Sequence, residues 1–347
     1  MDEPITLSHG KFDQHQQIIP TPGRSLPADD AMEKFQHSSR TPGSGLDAIS
    51  VLTYNIWFHG GQFEPAKFRP AASDAVAGVD ELGNSTFSDG QTFYIRMQAV
   101  CDLIVSNSPD IVCLQEVTPW GLDILKRQEV LKMIYTFSPY SVGRYGVVVL
   151  VKRSFGGTPE FRQVELPTRM GRTLVSVEFL INGEKLLVCT AHFESLSNRE
   201  VRREQLLAAA RAMAGYPSAM LMGDFNFCSY RNFQGDEDKT GLENDVLVEA
   251  LPDFIDLWPV LHNGISGSGE NTLGYTFDSE ANGNIRKPER MRYDRILHRV
   301  NPRGLVTARS IALVGTRPIP QIGVPPSDHF GILARFTFAD GFSREMG

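Results

Sequence analysis

The feature that most restricts the fold is a group of three strand-like runs in the middle of the chain, rich in valine and leucine. They are "RYGVVVLVKR", "RTLVSVEFLI" and "EKLLVCTAHF", which lie between residues 144 and 193. Runs of this length and composition indicate buried strands. Asn182-Gly183 separates the last two runs, and this dipeptide favours a tight hairpin turn. The core is therefore expected to consist of β-sheets.

Further strand-like runs and two helix-like segments surround this central region. The strand-like runs are "AISVLTYNIWF", "DIVCLQEV", "SAMLMGDFNF", "FIDLWPVL", "RYDRILHR" and "SDHFGILARFTF". The segments "QTFYIRMQAVCDLIVSN" and "REVRREQLLAAARAMAG" carry apolar residues at helical spacing and are predicted to be amphipathic helices. Strands and helices do not alternate regularly, so the sequence favours packed antiparallel or mixed sheets with helices outside, an α/β (α+β) fold.

Composition along the chain predicts one folded domain with a tail and an insertion. Residues 1–48 are rich in proline, glycine and polar residues, which predicts a disordered N-terminal tail, or else an arm that docks on the domain. Residues 59–90 contain glycine, proline, aspartate and serine throughout and are predicted to be a surface insertion loop. The folded domain is expected over residues 49–347.

Charge and cysteine content narrow the function classes. The net charge of -7, from 34 basic and 41 acidic side chains, excludes a general polyanion binder but allows a local basic groove. The four cysteines form no CxxC pair and are predicted to be buried free thiols in a reducing compartment. The sequence has neither a run of membrane-span length nor a signal-peptide core. We expect a monomer in the nucleus or cytoplasm, without membrane partners.

Six of the apolar segments deliver an acid, an amide or an imidazole at one end. These residues are Asn55, Gln115, Glu116, His192, Asp224, Asn226, Asp294, Asp328 and His329, with Glu194 and Ser195 just beyond His192. Strand ends converge on one rim when sheets pack face to face, so these side chains are expected to share a cleft.

The residue types in this cleft suit phosphoryl transfer. Glu116 and Asp328, with carboxamide oxygens, form a set of hard oxygen donors suited to Mg²⁺ or Mn²⁺. Asp224 could accept a proton from water, and two histidines could face a phosphate. Each motif alone has a structural alternative, because Asp-x-Asn is common in turns and a lone glutamate can cap a helix. The ordered set of six favours a functional site.

Four short motifs resemble those of the endonuclease/exonuclease/phosphatase superfamily, the fold of DNase I and of the major abasic-site endonucleases. They are "TYN", "LQE", "GDFN" and "SDH", in that order along the chain. The resemblance covers nearly all of residues 50–338 and implies a four-layer α-β-β-α sandwich, DNase I-like. It also implies a hydrolase that cleaves phosphoester bonds with Mg²⁺ or Mn²⁺.

Other segments resemble the type 2 tyrosyl-DNA phosphodiesterase branch of that superfamily. They are Met170-Gly171-Arg172, "HFES" followed by "EQLL", the segment Tyr275-Thr276-Phe277-Asp278, and Arg292-Tyr293-Asp294-Arg295-Ile296. The branch hydrolyses the bond between a tyrosine side chain and a 5′ phosphate of DNA. The resemblance therefore implies a phosphodiesterase in DNA repair that acts on 5′-tyrosyl-DNA adducts, with DNA ends, single-stranded ones included, as partners.

The resemblance also implies a role for each site residue. The metal ligands would be Glu116, Asn55 and Asp328, the catalytic residues Asp224, Asn226, His329, Asp294 and His192, and the substrate-binding residues Ser195, Phe277 and Tyr293. Asp224 would hold or deprotonate the attacking water, which Asn226 would help to place. His329, oriented by Asp294, would stabilise the phosphate, and His192 and Ser195 would bind its oxygens. Phe277 and Tyr293 could stack on a base or phenol.

Two departures from the branch keep other functions open. Cys228 stands where the branch has an arginine, and Phe277 where it has a tryptophan. One alternative is another nuclease or phosphatase of the same fold, acting on DNA, RNA or small phosphoesters. A catalytically inactive relative that serves as a binding module is a second alternative, but the complete set of acid, amide and histidine residues argues against it.

Two groups of basic residues near these motifs allow two interpretations. The groups are Arg199, Arg202 and Arg203, and Lys287, Arg290, Arg292 and Arg295. They could form solvated surfaces, which is the simpler interpretation, or they could contact phosphates of a nucleic acid.

Overall fold

The valine- and leucine-rich runs form strands, and the two amphipathic segments form the longest helices. In chain order the strands are β1 (Ala48–Asn55), β2 (Ile111–Val117), β3 (Tyr135–Phe137), β4 (Gly146–Lys152), β5 (Glu160–Glu165), β6 (Thr173–Ile181), β7 (Glu184–His192), β8 (Ser218–Asp224), β9 (Phe254–Asp256), β10 (Phe277–Asp278), β11 (Arg290–Met291), β12 (Asp294–Arg299), β13 (Val306–Val314) and β14 (Gly331–Phe338). The helices are α1 (Asp89–Asn107), α2 (Pro119–Arg127), α3 (Glu129–Ile134), α4 (Arg199–Met213), α5 (Val246–Ala250) and α6 (Leu257–His262).

The computed structural model of the protein describes residues 48–59, 89–155, 158–181, 183–233, 241–262, 273–301 and 304–339. All of them belong to one compact unit, Arg40–Gly347. The predicted tail falls outside the described residues except for Ala48, and so does nearly all of the predicted insertion. The domain boundaries therefore stay a prediction. No helix among the described residues has the length and apolar character to cross a membrane.

Within the described part of the chain, most strands belong to two mixed six-stranded sheets. Sheet 1 has the order β13-β14-β1-β2-β4-β3, and sheet 2 has the order β5-β6-β7-β8-β12-β9. The pairs β1–β2 and β7–β8 are parallel, and the other pairs in the two sheets are antiparallel. Gly183 has φ +82° and Ile181 pairs with Glu184. The predicted hairpin turn and the predicted mixed sheets are confirmed.

Side-chain alternation explains the layers. In β1, Ile49 and Val51 enter the core between the two sheets, while Leu52 and Tyr54 enter the core under helices α1–α3, because successive residues of a strand point to opposite faces. The outer face of sheet 2 packs against α4 and α5. This arrangement is the four-layer α-β-β-α sandwich that the sequence motifs implied, and the fold class is confirmed. All four cysteines are buried free thiols, as predicted.

One predicted strand is wrong over half its length. Of "FIDLWPVL", only Phe254–Asp256 forms a strand, and Leu257–His262 is helical. Pro259 has no N–H to donate to a sheet ladder, and its fixed φ suits the first turn of a helix. The apolar pattern alone could not distinguish the two structures.

Three of the basic residues fit neither of the two interpretations offered by the sequence. Arg202, Arg292 and Arg295 are at most 1% exposed. Arg202 forms a bidentate pair with Glu243, and Arg292 forms one with Asp256. Because a buried charge needs charged or polar partners, these arginines belong to the folded interior. They are neither solvated nor available to a phosphate.

Of the remaining arginines of the two groups, Arg199 donates to the Gly241 carbonyl at 3.2 Å, and the other two form ion pairs near the surface. Arg203 pairs with Glu249, and Arg290 pairs with Asp278 and Glu280. They match the solvated interpretation better than the phosphate-binding one, because their charges are already paired.

The buried His298 predicts acid-sensitive stability. Its ring lies edge-on to Phe336 with 5.5 Å between centroids, and burial lowers its pKa to about 4. In the unfolded chain His298 is protonated near pH 6.5, whereas in the native state it stays neutral until about pH 4. Stability is therefore lost as pH falls from 6.5 towards 4. In urea titrations, His298→Gln should lose about 2 kcal/mol less than wild type between pH 7.5 and 5.0. Equal losses of stability in wild type and His298→Gln would contradict this prediction. The control is His262→Gln, which replaces a half-buried histidine.

Candidate active site

Most of the predicted polar residues gather at one rim of the sandwich, between the two sheets. The carboxyl ends of β1, β2, β7 and β8 meet the amino ends of β12 and β14 there. In β8, Met220 and Met222 face sheet 1 within the inter-sheet core, and Asp224 continues this row two residues further on. Asn55, His192 and Asp294 end similar rows in their own strands. The alternation that builds the core therefore also aims these side chains into one cleft.

Asp224 is at the centre of the cleft and is 1% exposed. Its Oδ2 accepts a hydrogen bond from Asn55 Nδ2 at 2.9 Å, and its Oδ1 accepts one from the Asn226 N–H at 2.8 Å. Burial by itself would raise the pKa of Asp224, but His329, His192 and these hydrogen bonds hold it below its usual value. Asp224 is therefore a carboxylate at neutral pH.

His329 and Asp294 form a buried pair beside Asp224. His329 Nδ1 lies 2.7 Å from Asp294 Oδ2. Burial opposes a charge on His329, but the carboxylates of Asp294 and Asp224 raise its pKa well above the usual value. His329 is therefore an imidazolium whose Nε2–H faces the cleft, 3.9 Å from Asp224 Oδ2.

His192 also lies next to Asp224, but its ring is neutral, unlike that of His329. Its Nε2 lies 3.4 Å from Asp224 Oδ2, and its Nδ1 lies 2.9 Å from an Arg172 guanidinium nitrogen. Burial, followed by the charge of Arg172, lowers the pKa of His192 to about 3. The ring is neutral, accepts from Arg172 through Nδ1 and directs Nε2–H towards Asp224. The cleft thus contains one cationic and one neutral imidazole.

Glu116, Asn55 and Asp328 bring oxygen atoms to the same rim. Glu116 is 13% exposed, and its Oε2 accepts from the Phe58 N–H at 2.9 Å. Burial and the nearby Asp328 carboxylate raise the pKa of Glu116 to about 7. Asn55 Oδ1 accepts from the Trp57 N–H at 3.0 Å, which leaves one lone pair. A carboxylate whose pKa is raised by a neighbouring carboxylate indicates concentrated negative charge, which a hard divalent cation would neutralise in this set of oxygen donors.

A second cluster meets the spacing for one metal ion but has different chemistry. Ligand atoms of Asp224, Asp294 and His329 lie within 4.8 Å of one another. His329 Nδ1 is already paired with Asp294, and a protonated imidazole has no lone pair for a cation. We therefore interpret these three residues as a hydrogen-bonded acid–imidazole group.

The predicted substrate-binding residues lie at two places. Phe277 has its ring centroid 5.1 Å from that of His329, edge-on, and 5.7 Å from that of Tyr293. Tyr293 is buried with Cys228 and Met291, and the partly buried Phe277 packs against them; we name these four residues the apolar wall. Ser195 lies apart from this cluster, and its Oγ donates to Met170 Sδ at 3.1 Å.

The predicted catalytic residue Asn226 is held in place by a hydrogen bond from its Nδ2 to the Phe193 carbonyl at 2.9 Å.

Sequence reasoning gave no role to several residues that support the site. Gln115 Nε2 donates to Thr190 Oγ1 at 3.0 Å and so joins sheet 1 to sheet 2 below the cleft. Glu194 accepts from Thr168 Oγ1 at 2.7 Å and from the Arg169 N–H at 2.9 Å, which holds the segment that leads to Arg172. The guanidinium of Arg172 in turn lies 5.3 Å from the ring centre of Tyr145. The motifs "LQE", "HFES" and "MGR" marked three of these positions without revealing their partners.

Comparison with known proteins identifies the family. Residues 52–329 match the family model described as the Endonuclease/Exonuclease/phosphatase family. The chain belongs to this family. Xenopus laevis Tyrosyl-DNA phosphodiesterase 2 is 31% identical over 267 residues, which are 74% of this chain and 64% of that protein. The Mus musculus protein of the same name is 30% identical over 255 residues, 71% and 62% of the two chains. The chain thus spans less than two thirds of the length of these relatives.

Two solved structures share the fold. The structure described as D. rerio TDP2 complexed with single strand DNA product has a TM-score of 0.58 and 23% identity, covering 84% of this chain and 99% of that one. The human Nocturnin catalytic domain with bound sulfate anion has a TM-score of 0.54 and 16% identity, covering 84% and 95%. Both the superfamily and the branch indicated by the sequence motifs are confirmed as resemblances.

The close contact at Gly223, just before Asp224, predicts a severe effect of a single methyl group. Gly223 has φ +136°, and a Cβ there would lie 2.0 Å from the Ala191 carbonyl oxygen. Gly223→Ala should therefore lower the free energy of unfolding by more than about 2 kcal/mol in urea titrations. Gly215→Ala is the matched control, since a Cβ there meets nothing within 4 Å. Similar stability of the two variants would contradict the close packing of β7 and β8.

Proposed function

We propose that the protein is a metal-dependent phosphodiesterase that hydrolyses phosphodiester bonds at nucleic-acid ends, with 5′-tyrosyl-DNA adducts in DNA repair as its substrates. The observation that carries the proposal is the arrangement around Asp224. This carboxylate lies between a cationic imidazole and a neutral one, next to a set of oxygen donors. Base, positive charge and a cation site are the parts that phosphoryl transfer needs.

The residues of the chain divide the proposed reaction between them. Asp224, kept ionised, accepts a proton from the attacking water, and Asn226 helps to place that water. His329 is already protonated and donates its Nε2–H to the charge that develops on the phosphate, while Asp294 keeps the ring oriented. His192, as a neutral ring, would donate its Nε2–H to a phosphate oxygen of the bound substrate. These groups are fixed by strands and hydrogen bonds before substrate arrives, which is the condition for efficient charge stabilisation.

Glu116, Asn55 and Asp328 would hold Mg²⁺ or Mn²⁺. Their oxygen atoms and the mutual repulsion of the two carboxylates suit a hard divalent cation. When bound, such a cation supplies positive charge to phosphate oxygens. Without a bound cation, burial and the nearby Asp328 carboxylate would favour protonation of Glu116 near neutral pH.

The apolar wall supports a substrate with an aromatic group. Phe277 and Tyr293 lie beside His329. A base or a tyrosine phenol could stack on the partly exposed ring of Phe277, against which the buried Tyr293 packs. The relatives named Tyrosyl-DNA phosphodiesterase 2 support the 5′-tyrosyl adduct and DNA as partner. Ser195 contributes to substrate binding, in this proposal, through the segment around Met170. All the site residues come from one chain, so we propose a monomer, acting in the nucleus or cytoplasm.

A gel assay on three labelled oligonucleotides tests substrate and base together. With Mg²⁺, wild type should release a 5′-phosphate end from a 5′-tyrosyl oligonucleotide, and not cleave a 3′-tyrosyl oligonucleotide or an abasic duplex. Asp224→Asn should lower kcat by about 10²–10⁴-fold, because a general base contributes that much. Asp253→Asn, at an exposed aspartate, should leave the rate unchanged.

Cleavage of the other substrates alone would overturn the tyrosyl assignment and favour the alternative nuclease or phosphatase. Cys228, which is buried and stands where the branch has arginine, is the observation behind that alternative. Activity of Asp224→Asn equal to wild type would remove Asp224 from the mechanism.

Removal of divalent cations tests the donor set separately. Treatment with EDTA should abolish hydrolysis of the tyrosyl substrate, and Mg²⁺ or Mn²⁺ should restore it, since the oxygen donors suit these hard ions. Glu116→Gln should raise the Mg²⁺ concentration needed for half-maximal rate. Full activity in EDTA would contradict a metal-dependent reaction.

A further inference from the structure

Arg96 is a buried arginine that none of the sequence motifs includes. It lies in α1 and is 2% exposed. Its guanidinium donates to four main-chain carbonyls, those of Ile56 at 3.2 Å, Trp57 at 3.2 Å, His59 at 2.5 Å and Pro326 at 3.0 Å. The same group lies 4.5 Å from the ring centre of Trp57. A buried arginine with this many carbonyl partners fixes main chain rather than another charge.

The four carbonyls belong to two segments that meet at the proposed cation site. One segment, residues 56–59, follows β1, and its Phe58 N–H binds Glu116 Oε2. The other segment, residues 326–329, precedes β14 and contains Asp328, and its Ser327 Oγ donates to the Asn55 carbonyl at 2.7 Å. Arg96 therefore ties together the two segments that orient all three proposed metal ligands.

We propose that Arg96 is a positioning residue that holds Glu116, Asn55 and Asp328 in the geometry that binds the divalent cation. The inference rests on the proposed function, because it concerns the same cation site. Arg96 itself need not touch the cation or the substrate. It acts through the Phe58 N–H and through the backbone next to Asp328.

The sign of the effect separates positioning from simple electrostatics. The guanidinium charge interacts with the carboxylates of Asp328 and Glu116, and it would repel a cation bound to them. If charge alone mattered, a neutral side chain at position 96 would tighten metal binding. If Arg96 positions the ligands, its loss loosens both segments and weakens metal binding.

Direct titration with Mn²⁺ tests this without substrate. Binding is monitored by calorimetry and by the electron paramagnetic resonance signal of the free ion. Arg96→Met should weaken Mn²⁺ binding by about 10–100-fold, the range found when groups that orient metal ligands are removed. Arg96→Lys should weaken it nearly as much, because an ammonium group keeps the charge but cannot span four carbonyls. Ile104→Val, at a fully buried position of the same helix, should lower Tm without changing the affinity.

Each outcome decides between the two proposals. If Arg96→Met binds Mn²⁺ as tightly as wild type or more tightly, or if Arg96→Lys restores wild-type affinity, the positioning role is overturned and the proposed function stands. If wild type itself binds no Mn²⁺, both proposals fail. Should Arg96→Met not fold, as judged by circular dichroism, Arg96→Lys decides alone.

Discussion

The hydrogen bond from Asn55 to Asp224 joins two sheets that share no backbone hydrogen bonds within the described strands. Asn55 and Glu116 belong to sheet 1, whereas His192, Asp224 and Asp294 belong to sheet 2. The cleft therefore exists only if the inter-sheet core keeps the two rims at a fixed separation. Among the described residues, the side-chain hydrogen bonds that cross the gap include Asn55–Asp224, Gln115–Thr190 and His329–Asp294. The packing of the inter-sheet core therefore determines the geometry of the site.

Burial gives the two histidines their different tasks. Both rings are nearly inaccessible, so each responds to its immediate neighbours more strongly than to solvent. His329 faces two carboxylates and is doubly protonated, while His192, which faces the Arg172 guanidinium as well as Asp224, carries a single ring proton. In the proposed mechanism this difference lets a single carboxylate, Asp224, work between a fixed positive donor and a neutral one at the same pH.

The fold and the position of the cleft could be predicted because their signals are local. A short apolar run followed by Asp224, Asn226 or Glu116 can be recognised within one segment, and the family that the motif order resembles implied the four-layer sandwich. The supporting residues could not be predicted, because their partners are distant. Arg96 binds the carbonyl of Pro326, 230 residues away, and Arg292 binds Asp256 across the sheet. The helix within "FIDLWPVL" was missed because a short apolar run fits both periods. The residue roles stay predictions.

The backbone at the strand ends has a consequence for how this chain could change. Glu116 and Asn226 have φ of +60° and +55°, a conformation that costs a side chain other than glycine about 1–3 kcal/mol when the surroundings enforce it. Glycine at either position would relieve that strain while deleting a proposed functional group. The site therefore lies on a trade-off between stability and activity. Selection for thermal stability alone would be expected to remove the chemistry at these two positions first.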